Sequence, residues 1–407
     1  MAEKRKDNRG RNLHTGESQR KDGRYVYRWT ENGKEKSVYS MDLAELRDKE
    51  KQIKRDLEDG INAKAAEKST VNDVYNKWIE RKKGLRKSTF YRYIELYERF
   101  IKDNIGERKI AGLTYSDIYD FYRELAESKE MAKGYLETVD NVLSSVLDFA
   151  VKDGIIRQTP ASGVFTEVSK SFCKPTKKRH SLTLQEQSAF INYMSFHPVY
   201  SKWLPMFTIF LGTGGRASEI LGLRWCDLDF EENTISINHA LSYYSENGKY
   251  VFHIHETKTG AGKRIVPMMK DVKKAFLLIK ENQNVSGFKQ PVVDGYTDFV
   301  FVTSWGGNYR YTQIDGLIKD ICKHYNDDEA MKAGYEGRTA ELLRPFSLHN
   351  MRHTFASRLC ESETNMKAIQ EIMGHADIAT TMNIYAESTI EAKKQAIEKL
   401  EENNKIV

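Results

Sequence analysis

The chain has 407 residues, 64 Lys+Arg against 58 Asp+Glu, a formal net charge of +6 and 40% hydrophobic content. At roughly 150 residues per domain this length suggests two or three domains, and the apolar content excludes wholesale disorder. No run of about 18 apolar residues is present to suggest a membrane span. The stretch from Met1 to Arg11 is polar and basic. It lacks the apolar centre of a secretory signal, so a cytoplasmic location is expected. Cys173, Cys226, Cys322 and Cys360 are far apart and form no C-x-x-C. That suits a reducing compartment and argues against a disulfide framework or a cysteine-rich zinc site.

The first segment ends near Ala66. Between Lys4 and Arg28 nine basic residues face three acidic ones. Such an excess attracts phosphate backbones, although charge alone equally suits a solvated tail. Gly23 to Trp29 alternates polar with aromatic or β-branched residues, the period of a half-buried strand. Asn32-Gly33 is a hairpin signal, and Ser37-Val38-Tyr39 reads as the returning strand. Leu43, Leu46, Ile53 and Leu57 then mark a helix. Arg20, Lys21, Arg24 and Arg28 are the residues of this small sheet expected to meet DNA, as in other β-sheet readers.

The second segment, to about Val168, is expected to be helical throughout. Ser88-Thr89 reads as the cap of a helix carrying Phe90, Ile94, Tyr97 and Ile101. Thr114 with Asp117 forms a capping-box pair, and Val139, Leu143, Val146 and Phe149 form the stripe of a further helix. These stripes are core. Lys82, Lys83, Arg86 and Lys87 cluster at one helix start, where they suit either phosphates or a solvated face. From Lys170 to His180 the chain is basic, aperiodic and contains one proline. It reads as an extended linker whose Lys177, Lys178 and Arg179 follow a DNA backbone.

The last segment opens with another capping-box pair, Thr183 and Glu186. Helices are expected through Ile191 and from Trp203 to Leu211. Strands follow at 234–237, 250–255 and 264–267, with Lys258 in a hairpin loop between the last two. Helices resume at Ser347. The segment is a mixed α+β domain. Trp305-Gly306-Gly307 reads as a turn with a packing tryptophan, and His353 as structural. His253 and His255 share a strand face with Glu256 nearby, but no further ligand pair is evident, so no metal site is expected.

Six residues carry the chemistry: Arg216, Lys258, His349, Arg352, His375 and Tyr385. Gly212-Thr213-Gly214-Gly215-Arg216-Ala217-Ser218-Glu219 is a glycine-rich turn opening a helix, with Glu219 placed to hold the arginine. His349 and Arg352, three apart, share a helix face. Met373-Gly374-His375 marks a helix–turn boundary, and Tyr385 lies ten residues on. Their order and context resemble the tyrosine recombinase family, the phage-type integrases. The resemblance spans the chain, and its N-terminal part is most similar to integrases of Gram-positive conjugative transposons. One departure is Gly215, where the family usually has a bulky apolar residue.

The resemblance implies a multidomain fold: a small N-terminal β-sheet plus helix that binds arm sites (1–66), an all-α core-binding domain (67–168), a basic linker (169–182) and an α+β catalytic domain (183–407). It implies Tyr385 as nucleophile and Lys258 as proton donor to the leaving 5′-oxygen. It implies a 3′-phosphotyrosine intermediate, a homotetramer on two double-stranded DNA sites, and a tail helix from Ser388 to Leu400 that docks on a neighbouring protomer. An excisionase or a DNA-bending accessory protein would be a further partner. The residue types suit the reaction independently. A tyrosine with pKa of about 10 needs activation. Arg216 and Arg352 offer forked donors to a crowded phosphate. His349 either takes the tyrosine proton or positions the phosphate, and His375 donates a further hydrogen bond. No cofactor or metal is required, and no P-loop is present to suggest ATP. A type IB topoisomerase and a non-catalytic DNA-binding protein remain as alternatives.

Overall fold

The computed structural model describes residues 5–31, 33–58, 60, 67–174, 180–257, 260–287, 289–362 and 365–386, without the side chains of 383–386. It divides into two compact units, Met1–Thr176 and Lys177–Val407. Lys177, Lys178, Arg179, Lys258, Asn32 and the expected tail helix lie outside the described residues. No described helix is long and apolar enough to cross a membrane. All four cysteines are free thiols.

In the first unit, β1 (Glu17–Gln19), β2 (Tyr25–Glu31) and β3 (Lys34–Ser40) form an antiparallel sheet in that order. The β2–β3 register pairs Tyr27 with Val38 and Arg28 with Ser37. Strand alternation sends Tyr25 and Tyr27 onto α1 (Leu43–Glu58), where they bury against Leu43 and Leu46. On the opposite face Arg20 and Arg24 lie 5.7 and 5.9 Å from the Tyr39 ring, and Arg28 is largely exposed. Burial alone would raise the Asp7 carboxyl, yet hydrogen bonds from Arg11 and Tyr25 hold it down at about 2.

The helical part comprises α2 (Val71–Glu80), α3 (Lys87–Leu96), α4 (Tyr115–Glu127), α5 (Lys133–Lys152) and α6 (Val164–Phe172). Reciprocal capping boxes open α2 at Thr70–Asp73 and α4 at Thr114–Asp117. Leu136, Val139, Val142, Leu143, Val146 and Leu147 of α5 are fully buried at the centre of this core. Two expectations change. Ser88 and Thr89 are not caps: α3 starts at Lys87, Arg86 is its N-cap residue, and no side chain caps it. The stretch expected as linker begins as helix, because Val168 and Ser169 are buried within α6 and Phe172 packs on the same core.

In the second unit, α7 (Leu184–Phe196) is capped by Thr183 and Glu186 and packs with α8 (Leu204–Thr213), whose Phe207, Ile209 and Phe210 are buried. The short α9 (Ala217–Leu221) follows. Strands β4 (Leu228–Asp229), β5 (Thr234–Ile237) and β8 (Arg264–Pro267) make one antiparallel sheet in the order β4-β5-β8. Strands β6 (His239–Glu246) and β7 (Lys249–Glu256) make a separate ribbon. The expected hairpin across Lys258 is therefore corrected. Strand β7 pairs with β6 through an Asn247-Gly248 turn, both residues at positive φ, and β8 pairs with β5 in the other sheet.

Two long helices join this core, α10 (Lys270–Ser286) and α11 (Tyr311–Glu336), and α12 (Leu348–Ser362), α13 (Met366–Met373) and α14 (Ile378–Ala386) complete the described chain. Trp305 sits in the expected turn, closed by the Thr303 amide donating to the Gly307 carbonyl at 2.8 Å. It does not pack, being 93% exposed.

Candidate active site

The site is built where α8, α9, α12 and α13 end or begin. Helix α8 ends at Gly214, whose φ is +60°. A Cβ there would lie 2.2 Å from the Phe355 ring, so both the backbone and the space require glycine. The chain turns, and Arg216 becomes the N-cap residue of α9. Glu219, one turn on, accepts from the Arg216 amide at 2.9 Å and from its Nη1 at 2.6 Å. Gly215 leaves a space that Ile220 fills: a Cβ on Gly215 would lie 2.5 Å from Ile220 Cδ1.

Arg352, on the buried side of α12, donates from Nη1 to the Gly214 carbonyl and from Nη2 to the Met373 carbonyl, both at 2.7 Å. Arg216 Nη2 donates to the Gly374 carbonyl at 2.9 Å. A third cation, Arg264 at the start of β8, donates from Nε to the Ile372 carbonyl at 2.7 Å and from Nη2 to Glu219 at 2.9 Å. Thus Ile372, Met373 and Gly374, the last carbonyls of α13 and its cap, each accept from a different arginine. A helix C-terminus leaves such carbonyls without intrahelical partners and carries partial negative charge, which suits cations.

The charges here shape one another. Burial alone would raise the Glu219 carboxyl, but Arg264 and Arg216 beside it hold it below the usual carboxylate range. Burial, then the neighbouring Arg216, push Arg352 down to about 9, so it remains a cation at neutral pH. His375 follows Gly374 directly. Its ring is buried, with Nδ1 2.9 Å from Thr381 Oγ1. Burial first, and then Arg352, Arg216 and Arg264, push it down to about 4, so its ring is neutral at pH 7.

The structure thus brings Arg216, Arg352 and His375 together around one turn. His349 lies on the exposed side of α12, one turn before His353, with their ring centres 5.2 Å apart. Tyr385 lies on α14, its side chain outside the described set, and Lys258 lies outside the described residues altogether. In the first unit, Lys82, Lys83, Arg86 and Lys87 occupy the surface between α2 and α3; Lys82 stands over the Trp78 ring and Lys83 pairs with Glu80. Among the described residues, the potential ligand atoms of His14, Glu17 and Glu50 lie within 4.8 Å of one another. Arg47 and Lys54 already pair with the two carboxylates, so the charge a metal would neutralise is largely spent.

Residues 180–391 match the phage integrase family, 1–57 the DNA-binding domain of Tn916 integrase, and 70–126 the N-terminal SAM-like domain of phage integrases. The chain is 32% identical to the transposase of transposon Tn916 from Enterococcus faecalis, over 98% of this chain and 97% of that one. The chain belongs to the phage integrase family. It is a tyrosine-type site-specific recombinase that integrates and excises a mobile element, which sets aside the relaxation-only and non-catalytic alternatives. It is also 25% identical to a XerC-like tyrosine recombinase of Caldanaerobacter subterraneus, over 93% of this chain and 97% of that one. The Tn1549 transposon integrase, solved in complex with a circular intermediate DNA, is similar over 81% of this chain and 99% of that one, at 29% identity and a TM-score of 0.67.

Motif reading of the recombinase missed Arg264 and Thr381. A signal for Arg264 existed. In Arg264-Ile265-Val266-Pro267 the strand period places Arg264 on the face of Val266, which is buried, while Ile265 points to solvent. A cation on a buried face needs partners, and here they are Glu219 and main-chain carbonyls.

Proposed function

We propose that Tyr385 is the nucleophile and that Arg216, Lys258, His349, Arg352 and His375 complete the site. The Tyr385 oxygen attacks the phosphorus, the bond to the 5′-oxygen breaks, and Lys258 protonates that oxygen. The product is a 3′-phosphotyrosine link. A 5′-hydroxyl from another strand attacks it in turn, expels the tyrosine and rejoins the DNA, so no external energy source enters. Arg216 and Arg352 meet charge that develops on the non-bridging oxygens. His375, neutral at pH 7, donates a hydrogen bond rather than a charge. His349 either takes the tyrosine proton or positions the phosphate. The observation that carries the reading is the convergence of Arg216 and Arg352 on consecutive carbonyls immediately before His375.

Double-stranded DNA is the substrate. Residues 67–168 and 183–407 hold the crossover site, with the basic stretch that follows α6 between them, and residues 1–66 hold separate arm sites. The basic, aromatic face around Tyr39, with Arg20, Arg24 and Arg28, supports the last assignment, as does the similarity of residues 1–57 to the Tn916 integrase DNA-binding domain. Lys21, Lys82, Lys83, Arg86, Lys87, Lys177, Lys178 and Arg179 add phosphate contacts. Strand exchange between two duplexes requires four cleavages, hence four protomers, with an excisionase or DNA-bending protein as a further partner and the bacterial cytoplasm as the location. A two-site recombination assay on DNA carrying the element's ends tests this. Joined products that depend on Tyr385 support it; relaxation of supercoils without joining overturns it.

A further inference from the structure

We propose that Arg264, which none of the catalytic assignments uses, is a positioning residue that locks three catalytic segments into one geometry. Its guanidinium spends its donors on three elements at once. Nη2 donates to Glu219, the carboxylate that holds Arg216. Nε donates to the Ile372 carbonyl, three residues before His375. Nη1 donates to the Gly262 carbonyl at 3.2 Å, four residues beyond Lys258. The side chain is only 5% exposed, so it does not meet solvent. Gly374 is fitted against it: at φ +63° it passes so close that a Cβ would lie 2.7 Å from Arg264 Nη1.

The planar fork explains why arginine stands here. One flat group with donors in fixed directions satisfies a carboxylate and two carbonyls together, whereas a lysine ammonium cannot span all three. Without it, Arg216 still reaches Glu219 and the Gly374 carbonyl, but Glu219 loses its second tie to the α13 terminus, the one that runs through Arg264 to Ile372. The loop at Gly262 loses its link to the same terminus. Small displacements of this kind are costly in phosphoryl chemistry, where about 1 Å costs on the order of 100-fold in rate. Arg264 is not among the groups assigned to the reacting atoms; it acts through Arg216 and His375. Its charge also helps keep the His375 ring neutral.

The inference rests on the catalytic reading above, and the test separates the two. Full-length wild type, Arg264→Met and Arg264→Lys are compared at saturating protein on a nicked DNA built from the element's ends, reading the rate of covalent adduct formation. DNA affinity and the protection of the buried Cys322 thiol, a measure of folded fraction, are read on the same samples. Adduct formation per folded molecule is expected to fall about 100-fold in Arg264→Met and less in Arg264→Lys. DNA affinity should stay within about threefold, since the Arg264 side chain is 5% exposed and has its donors engaged within the protein. Added guanidinium ion should speed Arg264→Met and leave wild type unchanged. The His375 ring should titrate at higher pH in Arg264→Met. If Arg264→Met does not fold, Arg264→Lys decides: slower adduct formation at unchanged affinity and folded fraction supports the proposal. Losses that merely follow the folded fraction or the affinity would overturn it, as would wild-type rates in both variants. A wild type that forms no Tyr385-dependent adduct would instead bring down the catalytic reading, and this inference with it.

Discussion

The burial of His375 makes the catalytic unit sensitive to acid in a calculable way. Burial and the surrounding arginines push its ring down to about 4, whereas an unfolded histidine titrates near 6.5. The unfolded chain therefore takes up a proton that the folded state resists. The stability contribution is complete above about pH 6.5 and is lost as pH falls toward 4. At pH 5 the loss amounts to about 2 kcal/mol, rising toward about 3 kcal/mol at still lower pH. Urea unfolding at pH 7.5 and pH 5, read by trapping the buried Cys322 and Cys360 with a disulfide reagent active in acid, reports on this unit alone. Wild type should lose about 2 kcal/mol more than His375→Asn between the two pH values. Equal losses in the two proteins would mean that His375 does not carry the acid sensitivity.

Three further outcomes are expected. Gly215→Ala should cost about 1–3 kcal/mol by thermal unfolding, because its Cβ meets the fully buried Ile220; combining it with Ile220→Val should cost less than the sum. Replacing Arg20, Arg24 and Arg28 together by Gln should lower the slope of log affinity against log salt by about 2–3 on arm-site DNA, with little effect on adduct formation at a core site. Thr183→Ala removes the hydroxyl that accepts from the Glu186 amide and should destabilise the second unit by about 1 kcal/mol in denaturant titration.

The residues around Gly214 to Glu219 were legible because glycine, arginine and glutamate at that spacing define both a turn and its ion pair. Capping boxes at Thr114 and Thr183 were legible for the same local reason. Ser88-Thr89 misled, since the helix begins before them at Lys87, after an Arg86 that makes no side-chain cap. Strand β6 went unseen although Asn247-Gly248 marked its turn, and without β6 the strand β7 was paired with the wrong neighbour. The arginine cap of α13 was legible only in Arg264, a cation on the apolar face of its strand. Its acceptors are main-chain carbonyls, which carry no residue identity, and its donors come from positions 216, 264 and 352. Trp305 shows the converse limit: apolar character is visible in sequence, but whether a loop tryptophan packs depends on neighbours brought by the fold.

In the proposed mechanism Tyr385 carries out strand cleavage with cations that belong to the protein. The direct test mixes the full chain with nicked DNA from the element's ends in magnesium-free buffer with chelator, and looks for a denaturant-resistant adduct. Wild type should form it and Tyr385→Phe should not, at equal DNA affinity. Tight binding by wild type without an adduct, or an adduct that survives Tyr385→Phe, would contradict the account.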